Sequence, residues 1–304
     1  MNRTIKAVCG LLLCAAAAVE AQDFGDTPYV QTPQNVVDKM LEVAHVSASD
    51  FVIDLGSGDG RMVITAARKY GARGFGVDLD KRLVMLANRH AAQAGVGARA
   101  KFYARDLYET DLSPASVVTI YLLPEVNLMV RPKLLATLKP GTRVVSHDYD
   151  MGEWPPDLSF TMDAPNKPVG RDKKSKVFYW VVPASVAGKW RWRLDTGGAA
   201  QDVEIELKQN FQKIEGTLIA GAARVPLQDC ELSGDRIRFT ATVTTGGKPV
   251  RHAYAGRVIN NAMEGDVEMA GDAGATKAAW SATRTEVWAP EHVTAPAPTL
   301  QPVN

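Results

Sequence analysis

Hydrophobic and polar positions follow two alternating periods from Thr32 to about residue 141. A stripe of apolar residues at helical spacing comes first, and we expect a helix with Thr32 as its N-cap and Pro33 at its first helical position. Short apolar runs such as DFVIDLG and SVVTIYLL then alternate with helical runs such as RMVITAARKYG and PKLLATLKPG. Strands that alternate with helices build a mostly parallel sheet that is covered on both faces. The pattern predicts a doubly wound α/β domain.

The pattern changes in the second half of the chain. DLSFTMDA and KVFYWVVPA follow each other with no helix between them, so we expect this pair of strands to be antiparallel. After about Ala187, short alternating segments are separated by turn residues, which is typical of an all-β sandwich or closed barrel. Trp190, Trp192 and Trp280 fall on its first and last strands, where core packing is a better interpretation than a ligand cage.

Three boundaries divide the chain in this interpretation. Residues 1–21 form a signal peptide, 22–186 the α/β domain, 187–287 the all-β domain and 288–304 a tail rich in Pro, Ala and Thr that we expect to be disordered. The junction near Pro183 to Gly188 is interpreted as a short linker, so we expect the all-β domain to fold without the rest.

The N-terminus has the three parts of an export signal. Arg3 and Lys6 precede an apolar stretch from Ala7 to Val19, and small residues lead to a cleavage site after Ala21. We expect an exported, periplasmic or secreted protein; an ordinary cytosolic N-terminal helix is the alternative. Cleavage leaves Cys230 as the single cysteine, which excludes an internal disulfide. The formal net charge of +1 does not indicate a nucleic-acid partner.

A glycine-rich turn follows the first predicted strand. The segment VIDLGSGDGR places Gly56, Gly58 and Gly60 after the strand, and Asp78 ends the next one. Backbone without a Cβ lets a ligand approach closely, and a carboxylate at the neighbouring strand end accepts from ribose hydroxyls. A dinucleotide fingerprint requires a third glycine where this chain has Arg61. The spacing D-x-G-x-G-x-G therefore indicates a different nucleoside cofactor.

Two further acidic residues end neighbouring strands. Asp54 ends the first strand, and Asp106 follows the third, where we expect it to accept from an exocyclic adenine amine. The alternative treats these acids as solvated turn residues. Three acids at successive strand ends around a glycine turn favour the binding site.

The segment VIDLGSGDGR resembles motif I of the class I S-adenosylmethionine (SAM) methyltransferases. Together with PYVQTPQNVVDKML, GFGVDLD, ARDL and VVSHDYD, it resembles the group of mitochondrial lysine methyltransferases that modify the ADP/ATP carrier and the ATP synthase c-subunit, and their bacterial relatives. The resemblance covers roughly Tyr29 to Pro183. It implies a seven-stranded methyltransferase sheet with SAM as cofactor and a lid at Tyr29–Pro33. The predicted cofactor-binding residues are Tyr29, Thr32, Asp54, Gly56, Ser57, Gly58, Asp78, Asp106 and Leu107.

The end of the fourth strand bears on the methyl acceptor. Amide and amino-base methyltransferases carry an Asn/Asp-Pro-Pro-aromatic turn where this chain has Tyr121 to Glu125, which argues against glutamine, adenine and cytosine acceptors. Tyr121 is predicted to line the transfer channel and Glu125 to bind or deprotonate a lysine ammonium. The alternatives are a packed strand aromatic and a carboxylate favoured by the helix dipole.

Acidic residues also follow the fifth strand. His147, Asp148 and Asp150 are interpreted as a rim that attracts a cationic acceptor, with His147 as a third candidate catalytic residue. A metal site there lacks a fourth ligand and a recognisable spacing, and no metal is predicted.

A basic run enters the last strand of the α/β domain. Arg171, Lys173, Lys174 and Lys176 are interpreted as a solvated loop, with contact to an acidic partner or to phospholipid headgroups as the alternative.

The sequence thus predicts an exported SAM-dependent methyltransferase that acts on a protein lysine, with no nucleic-acid partner. Its signal peptide conflicts with the cytosolic origin of SAM. A non-catalytic envelope protein and a small-molecule O- or N-methyltransferase therefore remain alternatives.

Overall fold

The computed structural model describes residues 29–194, 200–272 and 274–294. The predicted signal peptide, its cleavage site and most of the predicted tail lie outside these residues. Within them, no helix is long and apolar enough to cross a membrane. The first half contains α1 (Gln34–Val43), β1 (Phe51–Leu55), α2 (Arg61–Tyr70), β2 (Arg73–Asp78), α3 (Lys81–Gln93), β3 (Ala100–Ala104), β4 (Val117–Ile120), α4 (Pro124–Thr137), β5 (Arg143–His147), β6 (Leu158–Asp163) and β7 (Lys174–Val181).

These strands form one seven-stranded sheet in the order β3-β2-β1-β4-β5-β7-β6. Strands β1 to β5 pair in parallel, whereas β7 runs antiparallel to both β5 and β6. The predicted α/β fold and the antiparallel last pair are confirmed. The strand order reverses between β1 and β4, and ligands bind beyond the carboxyl ends of the strands at such a point.

The two faces of the sheet are covered by different helices. Val52 packs in a cluster with buried residues of α1 and α2, and the next residue, Ile53, packs with buried residues of α4. This alternation follows from the two-residue period of a strand, which sends neighbouring side chains to opposite faces. Apolar runs such as FVIDL therefore belong to strands that are buried on both sides.

The beginning of α1 differs from the prediction. The helix begins at Gln34 and its N-cap is Pro33, whose carbonyl accepts from the backbone N–H groups of Val36 and Val37. The expected N-cap, Thr32, is buried, and its hydroxyl forms a 3.2 Å hydrogen bond with Nδ1 of His147. A distant tertiary partner therefore replaces the local capping bond.

Helix α4 begins eight residues earlier than the segment PKLLATLKPG indicates, so Pro132 lies inside it. An interior proline removes one helical hydrogen bond and costs about 3 kcal/mol. Val126, Val130 and Leu134 are all buried at four-residue spacing across this position, and their packing offsets the cost.

The second half of the chain forms a nine-stranded antiparallel sheet in the order β11-β10-β9-β8-β16-β15-β14-β13-β12. Its edge strands β11 and β12 are separated only by Leu227, which brings the two edges together and nearly closes the sheet into a barrel. Trp190, Trp192 and Trp280 are buried in its core, as predicted. Its elements are β8 (Gly188–Leu194), β9 (Gln201–Asn210), β10 (Lys213–Ala220), β11 (Ala223–Pro226), β12 (Gln228–Ser233), β13 (Arg236–Thr245), β14 (Lys248–Ile259), β15 (Ala262–Gly271), β16 (Gly274–Val287) and a last helix, α5 (Glu291–Thr294).

The junction between the two halves is packed rather than an exposed linker. Val182, Ala184 and Val186 are buried. The backbone N–H of Ala184 donates to the Gly234 carbonyl at 2.8 Å, and that of Val186 donates to the Gln209 side chain at 2.7 Å. The β-domain therefore supplies hydrogen-bond partners to the connecting backbone, and the folding of residues 187–287 without the rest stays a prediction.

The turn between β9 and β10 enters the core of the α/β half. Phe211 is buried in the same cluster as Trp154, and their rings stack with centroids 6.1 Å apart and planes 10° apart. Gln212 accepts from Trp154 Nε1 at 3.1 Å and donates to the Pro155 carbonyl at 2.6 Å. The two halves therefore share part of one core.

Candidate active site

Three glycines in left-handed conformation shape the turn after β1. Gly56, Gly58 and Gly60 have φ angles of 74°, 52° and 83°, which favour glycine. A Cβ at Gly56 would lie 2.5 Å from Leu122 Cδ2, and one at Gly58 would lie 2.4 Å from Tyr29 Cε2. The turn therefore requires glycine both for its backbone angles and for the close approach of neighbouring side chains.

Asp78, at the end of β2, is held against this turn. Its Oδ2 accepts from the Gly58 backbone N–H and its Oδ1 from that of Asp80, both at 2.9 Å. A carboxylate oxygen has two lone pairs, so each oxygen retains capacity for a ligand hydroxyl. Asp106, beyond β3, accepts from the Tyr108 backbone N–H at 2.7 Å through Oδ1. Both carboxylates are positioned by backbone donors before any ligand binds.

Asp54, at the end of β1, is buried and accepts from the Thr119 hydroxyl at 2.6 Å. Burial, with the nearby carboxylates of Asp78 and Asp59, raises the pKa of Asp54 to about 8. The group is therefore largely protonated near neutral pH in the free protein. A cation placed beside it would favour the ionised form.

A partly buried ion pair holds the N-terminal segment against the glycine turn. Arg61 Nη2 lies 2.5 Å from Asp59 Oδ2, and Arg61 Nη1 donates to the Thr32 carbonyl at 2.7 Å. Burial opposes ionisation of Asp59, but the hydrogen bonds and charge of Arg61 outweigh it and lower the pKa of Asp59. Sequence reasoning missed this role, because it used Arg61 only to exclude a dinucleotide site. The signal was a charged pair two residues apart at the start of α2.

These parts enclose a cavity of about 900 Å³. The Ser57 hydroxyl is buried beside the glycine turn and has no hydrogen-bond partner among the described residues. An unsatisfied buried hydroxyl, a turn without side chains and two oriented carboxylates fit the ribose and methionine portions of a nucleoside cofactor. Each predicted cofactor-binding residue lines this cavity: Tyr29, Thr32, Asp54, Gly56, Ser57, Gly58, Asp78, Asp106 and Leu107.

Tyr121 lines the same cavity beyond β4. Its ring packs on the His147 ring with centroids 4.0 Å apart and lies nearly parallel to the Tyr149 ring at 6.4 Å. Its hydroxyl donates to Asp148 Oδ2 at 3.4 Å. Burial and the Asp148 charge raise the pKa of Tyr121, so its phenol stays protonated and acts as a donor.

His147 is fully buried behind Tyr121 and does not line the cavity. Its Nδ1 bonds the Thr32 hydroxyl at 3.2 Å, and its Nε2 bonds the Ser175 hydroxyl at 2.8 Å. Burial lowers its pKa to about 4, so the imidazole is neutral at ordinary pH. This placement joins the N-terminal segment to β7. It does not match the predicted position at an open rim.

Glu125 also lies off the cavity lining, in the first turn of α4, where it is partly buried. The other two rim acids have local partners: Asp148 Oδ2 lies 2.7 Å from Lys167 Nζ, and Asp150 Oδ1 accepts from the Gly152 backbone N–H at 2.9 Å. The expectation of a free acidic rim is therefore wrong, because Lys167 neutralises its most buried carboxylate.

Asn127 of α4 was not singled out from the sequence, although it fixes the loop after β5. It is buried, and its Nδ2 donates to the carbonyls of Tyr149 and Asp150 at 3.2 Å. Two polar residues at four-residue spacing, Asn127 and Arg131, among the buried apolar residues of α4 were the available signal. Among the described residues, no three His, Cys, Asp or Glu side chains are grouped so that they could hold a metal ion.

The basic run lies on the hairpin between β6 and β7. Lys174 Nζ approaches Asp163 at 3.8 Å, and Lys173 Nζ donates to the Lys167 carbonyl at 2.6 Å. Arg171 and Lys176 are exposed. The exposure of Arg171 and Lys176 agrees with the solvated loop, and contact of this run with a membrane surface stays the untested alternative.

A family model for the ANTKMT methyltransferase domain matches residues 54–158. A protein-lysine N-methyltransferase from Saccharolobus islandicus (strain REY15A) is 46% identical over 130 residues, which are 42% of this chain and 81% of that protein. The chain belongs to the ANTKMT methyltransferase family. Its α/β half is thus a SAM-dependent methyltransferase domain, which favours the enzyme interpretation over a non-catalytic scaffold. The match to the ANTKMT model ends before the β-domain.

Two further proteins are similar to this ANTKMT family member. The adenine nucleotide translocase lysine N-methyltransferase of Mus musculus is 37% identical over 130 residues, which are 42% of this chain but only 56% of the mouse protein. A solved structure described as an RNA methyltransferase from Salinibacter ruber in complex with S-adenosyl-L-homocysteine is 48% identical; the match covers 52% of this chain and 96% of that one, with a TM-score of 0.47. The chain therefore spans little more than half of the mouse relative.

The cofactor of this ANTKMT family member is SAM, which supplies a methyl group on a positively charged sulfur when it binds. Asp78 and the Gly56–Gly60 turn are the residues that would hold its ribose and methionine portions. Asp54, beside the turn, would be favoured in its ionised form by that positive charge.

Proposed function

We propose that the protein transfers a methyl group from SAM to the side-chain amine of a lysine in another protein. The observation that carries the proposal is the convergence of Tyr121 Oη and Lys167 Nζ on Asp148 Oδ2, at distances of 3.4 and 2.7 Å. The ammonium of the protein's own Lys167 is thus bound at a carboxylate that contacts Tyr121, which lines the cofactor cavity, and we propose that a substrate amine binds at the same carboxylate. Two relatives named as protein-lysine methyltransferases support the same acceptor.

The residues on the acceptor side suit an amine. A carboxylate stabilises an approaching ammonium and repels phosphates and other carboxylates. Asp148 supplies this charge to a substrate amine once that amine takes the place of the Lys167 ammonium, and its 14% exposed side chain is shielded from the screening of bulk water. Tyr121 and Tyr149 present aromatic rings, which also attract cations. The amine must lose its proton before it can attack, so the transfer rate is expected to rise with pH above neutrality.

The candidate catalytic residues take different parts in this proposal. Tyr121 is proposed to line the path of the methyl group, and Glu125, which lies off the cavity lining in the first turn of α4, is proposed only to add negative charge for the approach of the amine. His147 acts as a positioning residue, because its ring supports Tyr121 and its two nitrogens join Thr32 to Ser175. Placement of the amine in line with the donor then supplies a large share of the rate enhancement.

Export and partners belong to the same proposal. Cleavage after Ala21 would deliver the enzyme to the periplasm or the exterior, where its substrate would be an exported or envelope protein. SAM would then have to reach it from the cytosol. Sequencing of the mature N-terminus should begin at Gln22, and a full-length protein in the cytosol would overturn this part. The basic run from Arg171 to Lys176 is proposed to contact anionic headgroups.

The acceptor is tested by incubating purified protein and labelled SAM with envelope extract. We expect label in protein, on lysine, and none in lipid, RNA or small molecules. Asp148→Asn should lower this labelling at subsaturating extract, whereas the matched variant Asp150→Asn, at a more exposed carboxylate two residues away, should change it little. Label confined to another class of molecule would overturn the lysine acceptor and leave the methyltransferase class intact.

A further inference from the structure

Lys167 of the loop between β6 and β7 is held in an enclosed position at the acceptor side. Its side chain is only 10% exposed, although lysines are almost always at the surface. Its Nζ lies 2.7 Å from Asp148 Oδ2 and donates to the Lys174 carbonyl at 2.7 Å. Lys173, in the same loop, is exposed, and its own Nζ donates to the Lys167 carbonyl. The loop therefore presents one lysine amine inward.

Asp148 connects this amine to the cofactor cavity. Its backbone has a left-handed φ of 63°, and both its N–H and its Oδ1 bond the backbone of Lys176, so the carboxylate is firmly oriented. Its Oδ2 accepts from Tyr121, which lines the cavity. The Lys167 amine is thus separated from the cavity wall by one shared carboxylate oxygen. It lies where an amine bound from another protein is proposed to bind.

We propose that Lys167 is a self-methylation site of this enzyme, an inference that rests on the proposed lysine acceptor. The Lys167 ammonium first gives a proton to Asp148 or to water. The nitrogen lone pair then forms a bond to the methyl carbon of bound SAM while the carbon–sulfur bond breaks. The pair of electrons from that bond stays on sulfur, which leaves as the neutral thioether S-adenosylhomocysteine. One C–S bond is exchanged for one C–N bond, and one proton is released per methyl.

Tethering makes this transfer feasible without tight binding. A lysine side chain has a flexible four-carbon stem, and an amine on the same chain is present at an effective concentration in the millimolar range or above. The proposal requires the stem to rotate past Tyr121, because neither Lys167 nor Asp148 lines the cavity. Because the acceptor is part of the enzyme, the modification should be first order and independent of protein concentration.

The main test is mass spectrometry of the purified mature protein after incubation with SAM and proteolysis. We expect the peptide with Lys167 to gain the mass of one or more methyl groups at a rate that is unchanged over a tenfold dilution. Lys173, in the same loop, and Lys174, the first residue of β7, are the internal controls and should gain none. Asp78→Ala should abolish the modification through loss of SAM binding, and Lys167→Arg should remove it from this peptide.

Envelope extract in a parallel reaction separates the two proposals. Labelled extract proteins with unmodified Lys167 would overturn self-methylation and support the lysine acceptor. Labelled lipid, RNA or small molecules with unmodified Lys167 would overturn both, as would a complete lack of transfer. A rate that rises with protein concentration would show transfer between molecules and overturn modification within the chain.

A second measurement does not depend on transfer. Without SAM, an amine-reactive reagent should modify Lys167 severalfold more slowly than Lys173, and Asp148→Asn should remove this difference by releasing the amine. Equal reactivity of the two lysines in the wild type would contradict the enclosed ion pair on which the inference rests.

Discussion

The ring of Tyr121 rests on the imidazole of His147, with their centroids 4.0 Å apart. Of the two residues, Tyr121 lines the cofactor cavity, whereas His147 is fully buried and bonds the hydroxyls of Thr32 and Ser175. The two residues, at the ends of neighbouring strands, therefore have different roles. Tyr121 lines the cavity, and the buried ring of His147 packs behind it and supports its position.

Enclosure of His147 predicts a loss of stability in acid. Its folded pKa of about 4 lies below the ordinary value of 6.5, so the unfolded chain binds more protons between these values. The stabilisation is complete above pH 6.5 and is lost as the pH falls toward 4, by an amount on the order of 3 kcal/mol. Denaturant unfolding of the wild type and His147→Gln at pH 7 and pH 4.5 checks this. The variant should be less stable at pH 7, with a smaller difference at pH 4.5; a constant difference would contradict the shift.

The position of the Asp78 carboxylate leads us to expect that its removal weakens SAM binding. Loss of its carboxylate removes hydrogen bonds to the ribose hydroxyls and leaves the Gly58 amide without its partner. Charge-assisted bonds of this kind are each worth about 1.5–3 kcal/mol, so Asp78→Ala should weaken SAM binding at least about tenfold. Isothermal titration of the mature protein measures this, with Asp235→Ala in the β-domain as the control. Equal affinities of the two variants would exclude Asp78 from the site.

The raised pKa of Asp54 leads us to expect that SAM binding releases protons. With a pKa of about 8 in the free protein, its carboxyl is mostly protonated at pH 7. The same shift means that this group stabilises the free protein at low pH and that the stabilisation is lost as the pH rises through 8. Cationic SAM should favour ionisation, so up to about one proton should be released at pH 7. Titrations in buffers of different ionisation enthalpy detect it, and the release should be absent in Asp54→Asn. Identical heats in all buffers with the wild type would refute the coupling.

The burial of Phe211 in the core of the α/β half leads us to expect that the two halves unfold together. It is buried between the rings of Trp154 and His292, and its backbone N–H donates to His292 Nδ1 at 2.9 Å. Phe211→Ala should cost about 3–5 kcal/mol and separate one calorimetric transition into two. Phe239→Ala, in the β-domain core alone, should destabilise that domain without opening the shared core. Two transitions in the wild type would instead support independent folding of residues 187–287.

Local signals in the sequence determined the sheet and the cofactor side of the site. The spacing of Gly56, Gly58 and Gly60 specifies a left-handed turn wherever the segment occurs, because other residues are strained at those angles. Asp54, Asp78 and Asp106 end parallel strands, and such ends meet at one edge of a sheet. Helix coverage of both faces follows from the alternation of strands and helices, whereas the seven-stranded sheet was implied by the resemblance to the methyltransferases.

The tertiary structure alone decided which distant groups became partners. Thr32 is a residue type that commonly caps helices, but its hydroxyl bonds His147. Asp148 was predicted to lie on an acidic rim, but its carboxylate pairs with Lys167. From the sequence, Phe211 belongs to a turn of the all-β domain, yet its side chain is buried in the core of the α/β half. A buried side chain takes the partner that packing brings within about 3 Å, and sequence periodicity carries no information on contacts between segments far apart in the chain. The sequence by itself therefore determined the glycine turn and the strand-end acids of the predicted SAM site, whereas the fold decided which residues surround the proposed acceptor side.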